Sequence, residues 1–201
     1  MRSKFGVIFI ILGVLLLIYP QLEKKTLDKK QEELIQAFLQ IGDGIDYGEA
    51  PQLEKVEAAV DQEQSEKLDG ARGIVRIPKV DLEMVIFEGS TEASLNKGVG
   101  MIEPEKEFGV NNVGLAGHRG IVYGKQFNRL DELEPDDEIE IQTKTERYEF
   151  VVVKTFVVDY TEVGVLTDKD EPYLTFVTCT PIGKSDTTDR LIVQAILKNR
   201  N

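Results

Sequence analysis

From about residue 71 to residue 197, apolar and polar positions alternate in short runs rich in Val, Ile, Phe and Thr, broken by Gly, Pro, Asn and Asp. Alternation with a period of two marks strands with one buried face. It predicts strands over residues 73–77, 82–88, 112–118, 138–143, 148–159, 174–180 and 191–197, with single helical turns at 93–96 and 126–133. Seven or eight strands in about 130 residues make an all-β domain, either a barrel or a sandwich. One run does not alternate: Val151, Val152 and Val153 are followed by Phe156, Val157 and Val158. It predicts a bulge or a strand buried on both faces.

Upstream of residue 71 the periodicity is helical. Leu27, Leu34, Ile35, Phe38, Leu39 and Ile41 fall at helical spacings, and the pattern stops at Gly42 and Gly44. Pro51, suited to a first helical turn, opens a second short stripe of Leu53, Val56 and Val60 that ends before Asp69 and Gly70. These helices are expected to pack on the β domain or on a neighbouring chain. Residues 5–19 are an unbroken apolar and Gly run after Arg2 and Lys4. As a helix they span only about 22 Å of a bilayer core about 30 Å thick, so flanking residues must enter the membrane. No small residues suited to cleavage occur at positions 18–22, which predicts an uncleaved single-pass anchor rather than a signal peptide. Lys24, Lys25, Lys29 and Lys30 outnumber the two basic residues before the run, and that asymmetry opposes an outward-facing domain. Long domains often translocate regardless of such charge. The expected organisation is an anchor over residues 1–22, a helical stalk over 23–70 and the β domain over 71–201.

Composition narrows the function. The 201 residues carry 24 Lys+Arg against 36 Asp+Glu, a formal charge of −12, and no basic cluster outweighs its surroundings. Nucleic acid is set aside as a partner, because its binding needs a basic face. With 41% apolar and 30% charged residues the chain buries a core and keeps a solvated surface. One cysteine, Cys179, and one histidine, His118, exclude an intrachain disulfide and a structural zinc site.

Those two residues are also the candidate chemistry. Both sit near predicted strand ends, where loops meet a rigid sheet. A thiol with a histidine in reach is the minimal covalent acyl-transfer pair: the thiolate attacks a carbonyl and the imidazolium protonates the leaving amine. Arg190 opens the last strand, eleven residues after Cys179. If the two strands are antiparallel neighbours, its guanidinium returns to the thiol and can bind a carbonyl or an oxyanion. Each residue also has an ordinary structural explanation: a small buried hydrophobe, a hydrogen bonder, a strand-end charge.

Leu115-Ala116-Gly117-His118, then Thr175-Phe176-Val177-Thr178-Cys179 about 60 residues later, then Arg190, resemble the sortase family of Gram-positive bacteria. The similarity covers roughly residues 72–197 and includes Ile77-Pro78. It implies an eight-stranded sortase β-barrel tethered to the cell membrane with its catalytic domain outside. It also implies a cysteine transpeptidase that cuts a Leu-Pro-x-Thr-Gly sorting signal after Thr through a thioester. The acyl group then passes to a cell-wall precursor amine on a lipid-linked peptidoglycan stem or cross-bridge. By this resemblance Cys179 is the nucleophile, His118 the proton donor and Arg190 the residue that positions substrate and stabilises the oxyanion. Phe176 departs from the Leu of most relatives, on the strand face opposite Cys179. The anchor, Cys179-Thr180-Pro181 and the polar end at 198–201 are most like class D sortases. Class C enzymes usually carry an Asp-Pro-aromatic lid and a second membrane segment, neither of which is seen; class A or E behaviour stays open. The competing reading is a non-catalytic membrane-tethered β-domain that binds peptides or wall partners. A third option is a hydrolytic cysteine protease, in which water resolves the acyl-enzyme.

Strand parity outlines a groove. Val177 shares a face with Cys179, and Ala116 lies two residues before His118, a small side chain that leaves room for the Leu-Pro part of a signal. Val163, Val165 and Leu166 are the apolar candidates for a wall in the segment 161–173. The same segment holds Glu162, Asp168, Asp170 and Glu171. No cofactor is required. Ca²⁺, which some sortases bind beside this loop, suits such oxygen ligands, but there is no EF-hand-like spacing and a solvated charge run is the commoner explanation.

Overall fold

The computed structural model describes residues 29–40, 67–120, 126–184 and 186–200. Its strands are β1 (Ala71–Ile77), β2 (Leu82–Glu88), β3 (Val99–Met101), β4 (Asn112–Ala116), β5 (Glu138–Gln142), β6 (Arg147–Asp159), β7 (Tyr173–Cys179) and β8 (Asp189–Arg200). They form a closed barrel in the order β1-β2-β3-β4-β7-β8-β6-β5, with β5 returning to pair with β1. Neighbours are antiparallel except β2 with β3 and β4 with β7, which run parallel. The expected eight-stranded barrel is thus the observed fold.

Seven strands fall where alternation predicts them, within a few residues. The eighth, β3, has only three residues with Gly100 at its centre, too few to display a period. Short helices occupy both predicted interruptions: one spans Glu92–Lys97 and a 3-10 segment spans Gln126–Glu132. In β6 the pairing with β8 shifts register between Glu149 and Phe150 and between Val152 and Lys154, so the non-alternating run does carry a bulge. The strand predicted over 112–118 stops at Ala116. There the chain turns away, because the His118 carbonyl accepts the Phe127 N–H at 3.1 Å instead of a strand partner.

Alternate side chains fill the interior. Val113 and Leu115 of β4, Leu174 and Phe176 of β7, and Leu191, Val193 and Ala195 of β8 all belong to the central apolar cluster. Phe127, from the 3-10 segment, meets Phe176 edge to face at 5.5 Å between ring centres. Phe176 therefore points inward, away from the face of Cys179. With the interior full, any site on β4, β7 or β8 has to lie on the outer wall.

A helix, α1, runs through residues 29–40 and packs outside β1 and β2. Its Ile35, Ala37 and Phe38, together with Leu68, cover the outward Ile74, Val85 and Phe87. Among the described residues no helix is long and apolar enough to cross a membrane. The anchor expected over residues 5–19, Leu27, Ile41 and the helix expected after Pro51 lie outside the described residues.

Candidate active site

The register of three adjacent strands builds the site. Since Val113, Leu115, Leu174, Phe176, Leu191 and Val193 point inward, the alternate residues point out. Gly114, Thr175 and Gln194 form one outward row across β4, β7 and β8, and Ala116, Val177 and Ile192 form the next. One step further, Cys179 at the end of β7 faces Arg190 at the start of β8. His118 lies two residues beyond Ala116, as Cys179 lies two beyond Val177, but past the end of β4. The parallel pairing of β4 with β7, continued by the Gly117 N–H to the Val177 carbonyl at 3.3 Å, brings the segment leading to His118 beside the segment leading to Cys179, and the antiparallel pairing of β7 with β8 sets Arg190 opposite Cys179. All three side chains are half-buried, and the thiol is free.

Gly117 sets the course of the chain between β4 and His118. A Cβ there would fall 2.6 Å from the Phe127 ring, so only glycine lets the chain pass the core and carry His118 out. Arg190 is oriented by its surroundings: its Nη1 donates to the Thr187 and Asp189 carbonyls at 2.8 and 3.0 Å. Its guanidinium carbon stands 5.8 Å from the centre of the Tyr160 ring. Among the described residues Nη2 and Nε of Arg190 have no acceptor, which leaves two donors for a ligand.

The row of Ala116, Val177 and Ile192 is a small apolar floor beside the three polar residues. Leu166 closes the floor on the β4 side. Its side chain packs over Gly114, where a Cβ would sit 2.7 Å from Leu166 Cδ2. Val165 is half-buried beside it. Val163 is placed differently: it is 71% exposed, with its side chain in solvent. Ile192, only 1% exposed, was not evident in the sequence because its parity becomes meaningful only once β8 is known to flank β7.

The loop carrying Leu166 is clamped by polar side chains. Asn112 donates from Nδ2 to the Val165 and Thr167 carbonyls at 2.9 and 3.0 Å, and its Oδ1 accepts the Thr175 hydroxyl at 2.7 Å. Gln194 donates to the Val165 carbonyl at 3.0 Å, and Lys169 donates to Gln194 at 2.9 Å. Asn112, Thr175 and Gln194 are fully buried, and their mutual bonds keep burial from leaving polar atoms unpaired. Lys106 adds a charged tie: its ammonium lies 2.9 Å from Glu103 and 3.3 Å from Asp168, and donates to the Leu166 carbonyl at 2.7 Å. Burial works against the Lys106 charge, but Glu103 and Asp168 outweigh it and hold its pKa above the ordinary lysine value. The Asp168 carboxyl is held below its usual range, first by the Asn112 N–H and then by Lys106 and Asn111.

Two acidic residues in and beside the loop are held by other partners. Asp168 is bound to Lys106 and Asn112, and Asp159 accepts the N–H and hydroxyl of Thr161. Among the described residues no group of three His, Cys, Asp or Glu side chains could hold a metal ion. Two features of the site have no signature in the sequence. Tyr160 stacks on Arg190, and Arg119 joins Thr180 to Asp131. Both depend on loops that meet only in the folded chain.

Comparison with known proteins bears on this arrangement. Residues 75–198 match the family model of the sortase domain. Sortase D of Bacillus subtilis is 35% identical over 115 residues, covering 55% of this chain and 55% of the relative. Sortase A of Listeria monocytogenes is 23% identical over 201 residues, covering 96% and 89%. Among solved structures, the Clostridium perfringens sortase D5 transpeptidase superposes with a TM-score of 0.62 at 28% identity, over 85% of this chain and 99% of that one. The sortase A of L. monocytogenes gives a TM-score of 0.63 at 26% identity, over 66% and 90%.

Proposed function

The chain belongs to the sortase family, and within that family we propose that His118, Cys179 and Arg190 are its catalytic residues. It is a cysteine transpeptidase, and the observation that supports the assignment of roles is the pairing of Cys179 with Arg190 across β7 and β8, with His118 two residues past the end of the neighbouring β4. The Cys179 thiolate attacks the carbonyl carbon of the scissile peptide. The electron pair moves to the carbonyl oxygen, where Nη2 and Nε of Arg190, without an acceptor among the described residues, receive the developing charge. The His118 imidazolium gives its proton to the amide nitrogen as the C–N bond breaks, and an amine leaves behind a thioester. An incoming amine then attacks the thioester carbonyl and loses a proton to His118, and the thiolate departs. The two halves balance: one peptide bond is broken, one is made, and Cys179 is regenerated.

The family acts on surface proteins with Leu-Pro-x-Thr-Gly-type signals and on cell-wall acceptors. For this chain the proposed substrate is such a signal, with its Leu-Pro part on Ala116, Val177 and Leu166, and the acceptor is a cell-wall precursor amine. Ile192 belongs to the same floor and Val165 borders it, with Val163 as an exposed rim. Members of the family are membrane-associated enzymes of the cell wall. Here the proposed tether is the apolar run at residues 5–19, with the barrel facing outward. The similarity to two sortase D proteins supports a class D-like enzyme.

Intact-mass measurement on protein mixed with Leu-Pro-x-Thr-Gly peptides tests this directly. Expected is a mass increase equal to the acyl portion, located at Cys179, that disappears on adding triglycine as a new peptide–amine product forms. Absence of the adduct in protein whose Cys179 still alkylates would favour the non-catalytic binding domain.

A further inference from the structure

Beyond Ala116 the regular ladder between β4 and β7 ends, yet His118 and Cys179 lie beyond that point. Among the described residues, what holds the two segments together there is one weak backbone bond, Gly117 N–H to the Val177 carbonyl at 3.3 Å, and two side-chain bonds. The Thr178 hydroxyl donates to the Gly117 carbonyl at 2.8 Å. Arg119 Nη1 donates to Thr180 Oγ1 at 2.7 Å. The first bond precedes the histidine–cysteine pair and the second follows it, so the pair is bracketed.

The Arg119 end is anchored twice more. Its Nη2 pairs with Asp131 at 2.8 Å, on the same 3-10 segment whose Phe127 N–H holds the His118 carbonyl. Thr180 is pinned on its far side too: its N–H donates to the Asp189 carbonyl at 3.1 Å, and Arg190 Nη1 donates to that same oxygen at 3.0 Å. A continuous chain of bonds therefore runs from the residue after His118, through the residue after Cys179, to Arg190. The Arg119 side chain is only 4% exposed, and its Nε is buried without an acceptor among the described residues. A cation so placed is a costly way to fill space, which an apolar side chain would do at less expense. Its two terminal nitrogens instead reach the segment that carries Cys179, at Thr180, and the 3-10 segment that holds the His118 carbonyl, at Asp131.

We propose that Arg119 is a positioning residue: through Thr180 and Asp131 it fixes the separation of imidazole and thiol during acyl transfer. The proposal rests on the catalytic roles assigned above to His118, Cys179 and Arg190. It predicts that losing the Arg119–Thr180 bond damages turnover rather than substrate binding, because misplacing reacting groups by an ångström can cost about a hundredfold in rate.

The test is steady-state transpeptidation by the full chain, using a Leu-Pro-x-Thr-Gly peptide and triglycine, with kcat and KM measured separately. Thr180→Val keeps shape and removes the acceptor. Arg119→Met keeps length and removes the donor. Each is expected to lower kcat by about 10- to 100-fold with KM within about twofold, and the double variant to be no worse than the poorer single one. Arg119→Lys, able to make one of the two bonds, is expected to fall between wild type and Arg119→Met. Wild-type kcat in Thr180→Val, a loss confined to KM, or a double variant whose loss is the product of the two singles would overturn the proposal. Should Arg119→Met fail to fold, Thr180→Val still decides. Cys179→Ala and His118→Ala run alongside: full turnover by either removes the catalytic reading itself, whereas inactive controls with a fully active Thr180→Val remove only the positioning role.

Discussion

Two stretches of the barrel's outer wall, half a circuit apart, have opposite fates. On β1 and β2 the outward residues Ile74, Val85 and Phe87 are large and apolar, and α1 seals them under Ile35 and Phe38. On β4, β7 and β8 most outward residues are small or polar, namely Gly114, Ala116, Thr175 and Gln194, with Val177 and Ile192 as the apolar exceptions. A polar-clamped loop covers one end of that wall and stops short of His118, Cys179 and Arg190. The first wall is covered because leaving it wet would forfeit hydrophobic burial. The second needs no such cover, so a thiol and an imidazole stay within reach of a peptide. In one closed barrel, which wall becomes a site is decided by the outward half of each strand's alternation.

The comparison predicts that damage to the two walls separates cleanly into activity and stability. The largest effect is expected from Cys179→Ala, which should reduce transpeptidation by about 10⁴-fold or more while leaving the melting temperature nearly unchanged. Chromatographic assay of the peptide–amine product, beside a thermal melt, checks both halves. Next in size, Phe38→Ala on the sealed wall should cost about 3–5 kcal/mol in urea unfolding and leave kcat of the folded enzyme alone. A drop in kcat under conditions where that variant stays folded would show that the two walls are coupled.

Arg190→Lys keeps the charge but loses the planar set of donors, and its kcat is expected to fall by about 10- to 100-fold. Near-normal turnover would leave Arg190 as an electrostatic bystander. The smallest effect is reserved for the clamp. Lys106→Met should raise KM about 3- to 10-fold with little change in kcat, because Leu166 is then held less firmly over the floor. Acid should act on the same clamp. Asp168 has its pKa depressed in the folded chain, so its contribution is complete above the unfolded carboxyl value of about 3.9 and is lost as pH falls through the lower folded value. The difference in urea midpoint between wild type and Asp168→Asn should therefore shrink in strong acid, and a difference that grew instead would contradict this.

Much of this was legible along the chain, for a physical reason: strands announce themselves by a period that depends only on neighbours. Alternation located seven strands, and parity put Val177 on the face of Cys179. What stayed hidden depends on which strands meet. Ile192 joins the floor only because β8 lies beside β7. Arg119 matters only because Thr180, 61 residues away, and Asp131 arrive at its two ends. The periodicity of α1 showed that it had an apolar face but could not show that Ile74, Val85 and Phe87 would be its seat. Val163 shows the converse limit, since an apolar residue in the right loop still points into solvent when the 3-10 turn at Val163–Leu166 rotates it outward.

The closure of the barrel carries one further consequence. A sheet without a free edge offers no row of unpaired backbone groups on which a substrate could be recognised by strand addition, so sequence preference here has to be written in side chains. On the proposed assignment those side chains are Ala116 and Val177, at outward positions of β4 and β7, and Leu166 of the covering loop, while the intervening strand positions hold the interior together. Recognition and foldability are thereby filed in separate columns of the same strands. A library that randomises Ala116, Val177 and Leu166 and spares Leu115, Phe176 and Val193 would explore new signals with most of its members still folded.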